Sequence, residues 1–151
     1  MRIIRGDLIQ LALAGKFDVI VHGSNCMHTM SAGIARQVRN HFPEAFDADL
    51  ATRRGDKSKL GAFSSAVVTR GAVSFTVVNA YTQYDWRGTG VKVDYEAVSR
   101  VFAAIGAEWR GARIAYPLIG AGLAGGDWDR ISSIINDALE GQNHTLVLWD
   151  K

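Results

Sequence analysis

The run at 117–128, Pro-Leu-Ile-Gly-Ala-Gly-Leu-Ala-Gly-Gly-Asp-Trp, limits the folds open to this chain more than any other stretch. It overlaps an apolar run at 113–119 that lacks the alternation of a half-exposed strand. Such runs suit parallel strands covered on both faces. Gly120, Gly122, Gly125 and Gly126 end that strand, and Asp127 opens a helical pattern. Strand, glycine loop and helix start together aim backbone N–H groups at an anion. Glycine permits the strained turn and the close approach, and the helix dipole favours negative charge. A tight turn needs only one such glycine, so four within seven positions favour an anion-binding loop.

A second unit of the same kind lies near the start. Residues 19–23, Val-Ile-Val-His-Gly, read as a buried strand that runs into a loop of small and polar residues at 24–33. Ile34, Ala35 and Val38 mark the apolar face of the helix that follows. Two such units, far apart in sequence, can face one ligand from both sides, as a diphosphate requires. Before them come a short strand at 2–5 and a helical turn through Leu8, Leu11 and Ala12, with Asp7 placed to cap it.

Beyond them, Pro43 opens a helix, and 52–60 reads as an exposed basic loop with Arg53, Arg54, Lys57 and Lys59. Strands at 66–69 and 75–79 are joined by a hairpin-like link. The aromatic, glycine-rich segment at 81–90 has the composition of a ligand-covering loop or of a packed surface loop. Asp94 precedes an amphipathic helix carrying Val98, Val101, Phe102, Ile105 and Trp109. Another helix carries Trp128, Ile131, Ile134, Ile135 and Leu139, and 145–149 is a last strand. Helices alternating with strands give an α/β class, a central mixed sheet flanked by helices on both faces. At 151 residues this is one expected domain, 1–151.

Composition narrows the chemistry. No apolar run approaches the roughly 20 residues of a membrane span, so no membrane partner is expected. The start, Met-Arg-Ile-Ile-Arg-Gly-Asp, lacks a secretion signal, and Cys26 has no second cysteine for a disulfide; a reducing, cytoplasmic setting is expected. The net charge of +2 does not by itself argue for nucleic acid. No spacing of His, Cys and Asp suggests a metal, and no cofactor is expected.

Taken alone, Gly120-Ala-Gly122-Leu-Ala-Gly125 satisfies the G-x-G-x-x-G fingerprint of a dinucleotide fold. That fingerprint should open a βαβ unit with several strands to follow, whereas here one helix and one strand remain. The Rossmann reading therefore fails on position.

The arrangement instead resembles a macro domain, the ADP-ribose-binding α/β module, over nearly the full length. Gly6-Asp7-Leu8 is similar to its early Gly-Asp motif. The segment from His22-Gly-Ser-Asn25-Cys26 through Ser31-Ala-Gly33-Ile34-Ala35 is similar to its first ligand loop. Leu118-Ile-Gly120-Ala-Gly122-Leu-Ala-Gly-Gly126-Asp127-Trp128 is similar to its second. Within the family, these motifs look closest to the branch of the yeast ADP-ribose 1″-phosphate phosphatase and related ADP-ribosyl hydrolases. The resemblance implies that ADP-ribose or a derivative is the ligand, and that ADP-ribosylated macromolecules are possible partners. It implies that Asp7 accepts from the adenine amino group and Asn25 contacts the distal ribose. Backbone at Gly33 and Ile34, and at Gly120, Ala121, Gly122, Leu123 and Ala124, would cradle the diphosphate. Asp127 belongs to the second ligand motif, and Trp149 would neighbour adenine or pack in the core.

Departures bear on activity. Some hydrolases of this branch carry a lysine in the region of Thr82, Gln83 and Tyr84, where this chain has none, and one subgroup has aspartate in place of Ala124. The phosphatase-like members resemble this chain at Thr82-Gln83, at Asp94-Tyr95-Glu96 and at His22. Phosphate ester hydrolysis needs a proton donor and an activated water, which assigns His22 as acid and Asp94 as base. The same residues also fit a packed histidine and a helix cap. The expected activity is removal of the 1″-phosphate; the alternatives are ADP-ribosyl hydrolysis from protein or nucleic acid, and binding alone.

Overall fold

Apolar strands take the middle of the sheet, and their common end builds the site. The computed structural model describes residues 1–149; the last two positions of the expected domain, Asp150 and Lys151, lie outside the described residues. In chain order the elements are β1 (Arg2–Gly6), α1 (Leu8–Leu13), β2 (Val19–Ser24), α2 (Gly33–His41), α3 (Pro43–Leu50), β3 (Phe63–Arg70), β4 (Val73–Tyr81), α4 (Tyr95–Glu108), β5 (Ile114–Tyr116), α5 (Trp128–Ala138) and β6 (His144–Trp149). The six strands form one sheet in the order β1-β6-β5-β2-β4-β3. β3 runs antiparallel to β4; the other neighbouring pairs are parallel.

Alternation along β2 divides the core between the faces. Val19 and Val21 pack with Val98, Val101, Phe102, Ile105, Ile131 and Ile135 of α4 and α5. Ile20 joins Leu8 and Ile9 of α1, Val38 of α2, Ala45 of α3, and Phe42 between α2 and α3, on the opposite face. The mixed, doubly covered sheet expected from the strand patterns is the one observed.

Three local expectations change. The strand read at 113–119 shrinks to Ile114–Tyr116, because Pro117 has no N–H for the ladder and the chain turns at once, Ile119 N–H donating to Pro117 O (2.7 Å). The basic stretch at 52–60 is not wholly exposed. Lys59 is buried, its Nζ donating to Thr52 Oγ1 (3.0 Å) and lying over the Tyr81 ring. β2 continues one residue past Gly23, to Ser24, which puts His22 in the body of the strand.

All five parallel strands finish at one edge. Asp7, the 25–32 loop, Thr82 and the glycine loop after Pro117 emerge side by side there, in the crevice where open α/β sheets bind ligands.

Candidate functional site

A cleft of about 1120 Å³ runs along this edge, from the end of β1 to the end of β4. One wall is the start of α2. Asn25 is buried and held within its loop: its Oδ1 accepts from Met27 N–H (2.9 Å), and its Nδ2 donates to Thr29 Oγ1 (2.6 Å). Gly33 begins the helix with φ +58°, and Ala32 before it offers no capping side chain. Gly33, Ile34 and Ala35 all line the cleft. By contrast α1, α4 and α5 each have an aspartate cap on their first N–H groups. A helix start left without such a cap keeps its donors and its partial positive charge for a ligand.

The opposite wall is the glycine loop. Gly120 (φ +73°) could take no side chain: a Cβ there would lie 2.6 Å from Val93 Cγ2. At Gly126 a Cβ would meet Gly120 O at 2.5 Å, so these two glycines serve packing. Gly122 differs, because a Cβ would touch nothing within 4 Å and the residue lines the cleft. The N–H groups of Gly122, Leu123 and Ala124 donate to no group among the described residues. Leu123 itself is 77% exposed at the rim, close to Gly33 across the cleft.

At the β1 end, Asp7 caps α1 through one oxygen: Oδ1 accepts from Ile9 N–H (2.9 Å) and Gln10 N–H (3.2 Å). The second oxygen takes neither bond. Trp149, 62% exposed, lines the same end beside Gly6, its partner across the β1–β6 ladder. It is therefore not a core residue.

The structure thus brings together Asp7, Asn25, Gly33, Ile34, Gly120, Gly122, Leu123, Ala124 and Trp149. Four other sequence candidates do not line the cleft. Ala121 packs against the core. Asp127 caps α5, accepting from Asp129 N–H (3.0 Å), while its own N–H donates to Tyr95 OH. Asp94 caps α4 by accepting from Ala97 N–H (3.0 Å). His22 is fully enclosed and turned to the α3 face, where its Nε2 bonds Asn79 Oδ1 (2.6 Å). Burial holds its pKa below the usual histidine range. The cleft lining includes neither member of the expected acid–base pair: His22 is enclosed on the α3 face, and Asp94 stands at the start of α4, its N–H donating to Thr82 O (2.7 Å). Cys26 is no better placed to react, since burial pushes its thiol up to about 11.

Sequence reasoning missed Lys92. Gln83 pairs with Val93 in an isolated antiparallel bridge, and Lys92 N–H donates to Ala124 O (2.8 Å). This folds the glycine-rich segment back over the cleft as a strap, and Trp86, Gln83 and Lys92 all line the interior. The pairing joins positions ten apart across an irregular segment, so no periodicity announces it. Gln37 and Asn40 of α2 were also missed; their polar face is indistinguishable in sequence from a solvated one.

No protein-family model matches the chain. The 17.5 kDa uncharacterized protein of the tk–vs intergenic region of enterobacteria phage T4 is 33% identical to it, over 99% of this chain and 97% of that one. The DNA ADP-ribosyl glycohydrolase of Mycobacterium tuberculosis is 27% identical over 89% of this chain, which spans only 37% of that protein. Among solved structures, the macrodomain of Mycobacterium tuberculosis DarG superposes with a TM-score of 0.78 at 21% identity, covering 99% and 97% of the two chains. Thermosipho africanus DarTG, solved in complex with ADP-ribose, gives 0.72 at 16% identity, covering 98% of this chain and 42% of that one. The chain has the macrodomain fold and belongs to the family of the phage T4 17.5 kDa protein.

Proposed function

We propose that the protein binds ADP-ribose in this cleft and hydrolyses the bond between C1″ of the distal ribose and a substituent there. The observation that carries the binding is the pair of facing walls, an uncapped helix start and a loop with three unused N–H groups, set across a cleft. Such a pair suits a diphosphate. The free oxygen of Asp7 and the face of Trp149 suit an amino-bearing base at one end, and Asn25 suits a ribose at the other. The glycohydrolase relative supports ADP-ribosyl hydrolysis as the reaction.

The loop backbone would fix the diphosphate and so hold C1″ at the end of the cleft lined by Asn25 and Gln83, where water adds to C1″, the bond to the substituent breaks and the departing group takes the proton. ADP-ribose 1″-phosphate is a second candidate substrate, favoured by Thr82 and Gln83 at the distal end. One experiment separates the readings: the pure protein is incubated with an ADP-ribosylated DNA oligonucleotide and, separately, with ADP-ribose 1″-phosphate. Release of unmodified oligonucleotide supports the glycohydrolase, and release of phosphate supports the phosphatase. ADP-ribose binding by calorimetry with neither product leaves a binding module, and no binding defeats the proposal.

A further inference from the structure

The charged lining of the cleft is unevenly spread. Its one carboxylate, Asp7, stands at the β1 end; of its lysine and arginine side chains, Arg36 lies on α2 and Lys92 on the strap, beside Val93, which pairs with Gln83 at the β4 end. The backbone of Lys92 is fixed on two sides, by the bond to Ala124 O and by Val93, which fills the space over Gly120 and Gly126. Its side chain is not fixed. Lys92 as a residue is half-buried, but its ammonium is exposed and bonds only Gly90 O (3.2 Å), a carbonyl in an open glycine loop. A cation anchored at its backbone but weakly held at its tip is free to turn to a stronger acceptor. Asp85, the acidic side chain of the strap, is already held by Arg87 (2.7 Å).

We infer that Lys92 is a specificity-determining residue: it binds an anionic group carried on C1″ of the distal ribose, so that substrates with a phosphate there are preferred over free ADP-ribose. This rests on the ADP-ribose reading, which sets the distal ribose near Asn25 and Gln83. Cys26 N–H donates to Tyr84 O (2.9 Å), which ties the Asn25 loop to the base of the strap that carries Lys92. A phosphate there would exchange a neutral carbonyl partner for an anionic one, adding attraction between opposite charges to a bond in which only the donor was charged.

The test is displacement of a fluorescent ADP-ribose, read by stopped flow before turnover, with ADP-ribose and ADP-ribose 1″-phosphate as competitors. Wild-type protein should bind the phosphorylated ligand more tightly. Lys92→Met should remove that advantage, weakening the phosphorylated ligand by roughly tenfold, the scale of one charged hydrogen bond, with free ADP-ribose little changed. Lys92→Arg should keep most of the preference, and raised salt should erode it in wild type but not in Lys92→Met. Equal losses for both ligands in Lys92→Met, or no wild-type preference, overturn the inference while leaving the ADP-ribose reading standing. Failure of wild type to bind either ligand overturns both.

Discussion

At the scale of single residues, the glycines of the second loop divide into two kinds, and the division can be measured. Gly122→Val should fold with an unchanged Tm, because the new side chain points into open space, yet it should abolish ADP-ribose binding by filling the cleft. Gly120→Ala should do the reverse, lowering Tm because its Cβ collides with Val93 in a backbone region that disfavours side chains. Calorimetry and thermal melts on the two variants check this, and a Gly122→Val protein with normal affinity would place the ligand elsewhere. Asp7 calls for a subtler exchange because it serves two roles. Asp7→Ser keeps a capping oxygen for Ile9 and Gln10 N–H but removes the spare carboxylate oxygen. Stability should hold while ADP-ribose affinity drops by about 1–3 kcal/mol, the range for a charged hydrogen bond. Ribose 5-phosphate, which lacks the base, should bind as before.

At the scale of elements, the capping aspartates show what a sequence can and cannot reveal. Asp7, Asp94 and Asp127 each stand before an apolar helical pattern, and each caps its helix as the pattern implies. Which of them also faces a ligand depends on where the preceding strand ends, and that is a tertiary fact. Asp94→Ala and Asp127→Ala should each cost about 1 kcal/mol in urea unfolding. Neither should change ADP-ribose affinity, because both lie outside the cleft. The two loop–helix units were legible for a related reason: small residues are needed locally, wherever backbone must approach an anion. His22 already lay within the strand read at 19–23; alternation along it puts the side chain with Ile20 on the α3 face of the sheet and not at its edge. Lys92 was invisible because only the return of the strap, a long-range pairing, carries it to the site.

At the scale of the whole molecule, His22 joins a buried polar chain that ties the hairpin to the helical layer. Its Nε2 donates to Asn79 Oδ1, and Asn79 Nδ2 donates to Ser64 Oγ (3.0 Å) and Ala45 O (2.9 Å). Ser64 shares a bond with Tyr81 OH (2.8 Å), which donates to Asp49 Oδ1 (2.6 Å). The chain thus spans β2, β4, β3 and α3. Its histidine end sets a pH dependence of folding. Burial holds His22, and to a lesser extent of enclosure His144, below the usual histidine pKa, so both stay neutral in the fold while the unfolded chain takes up protons. Above about pH 6.5 both states are neutral and stability is full; as pH falls below that value the unfolded state binds more protons, and stability declines. The slope for one such histidine approaches about 1.4 kcal/mol per pH unit. The carboxylates paired with arginine respond elsewhere. Arg113 beside Asp18, Arg70 beside Glu44 and Arg87 beside Asp85 hold those groups below the ordinary range, so their contributions fade only in stronger acid. Between about pH 6.5 and 5 the loss should therefore belong to the histidines. His22→Gln, which keeps a donor for Asn79 Oδ1 but cannot titrate, should reduce the slope of the urea-unfolding free energy across that window, leaving the share that His144 contributes. A slope as steep as wild type in this variant would mean that His22 takes a proton in the folded state and is less enclosed than the structure has it.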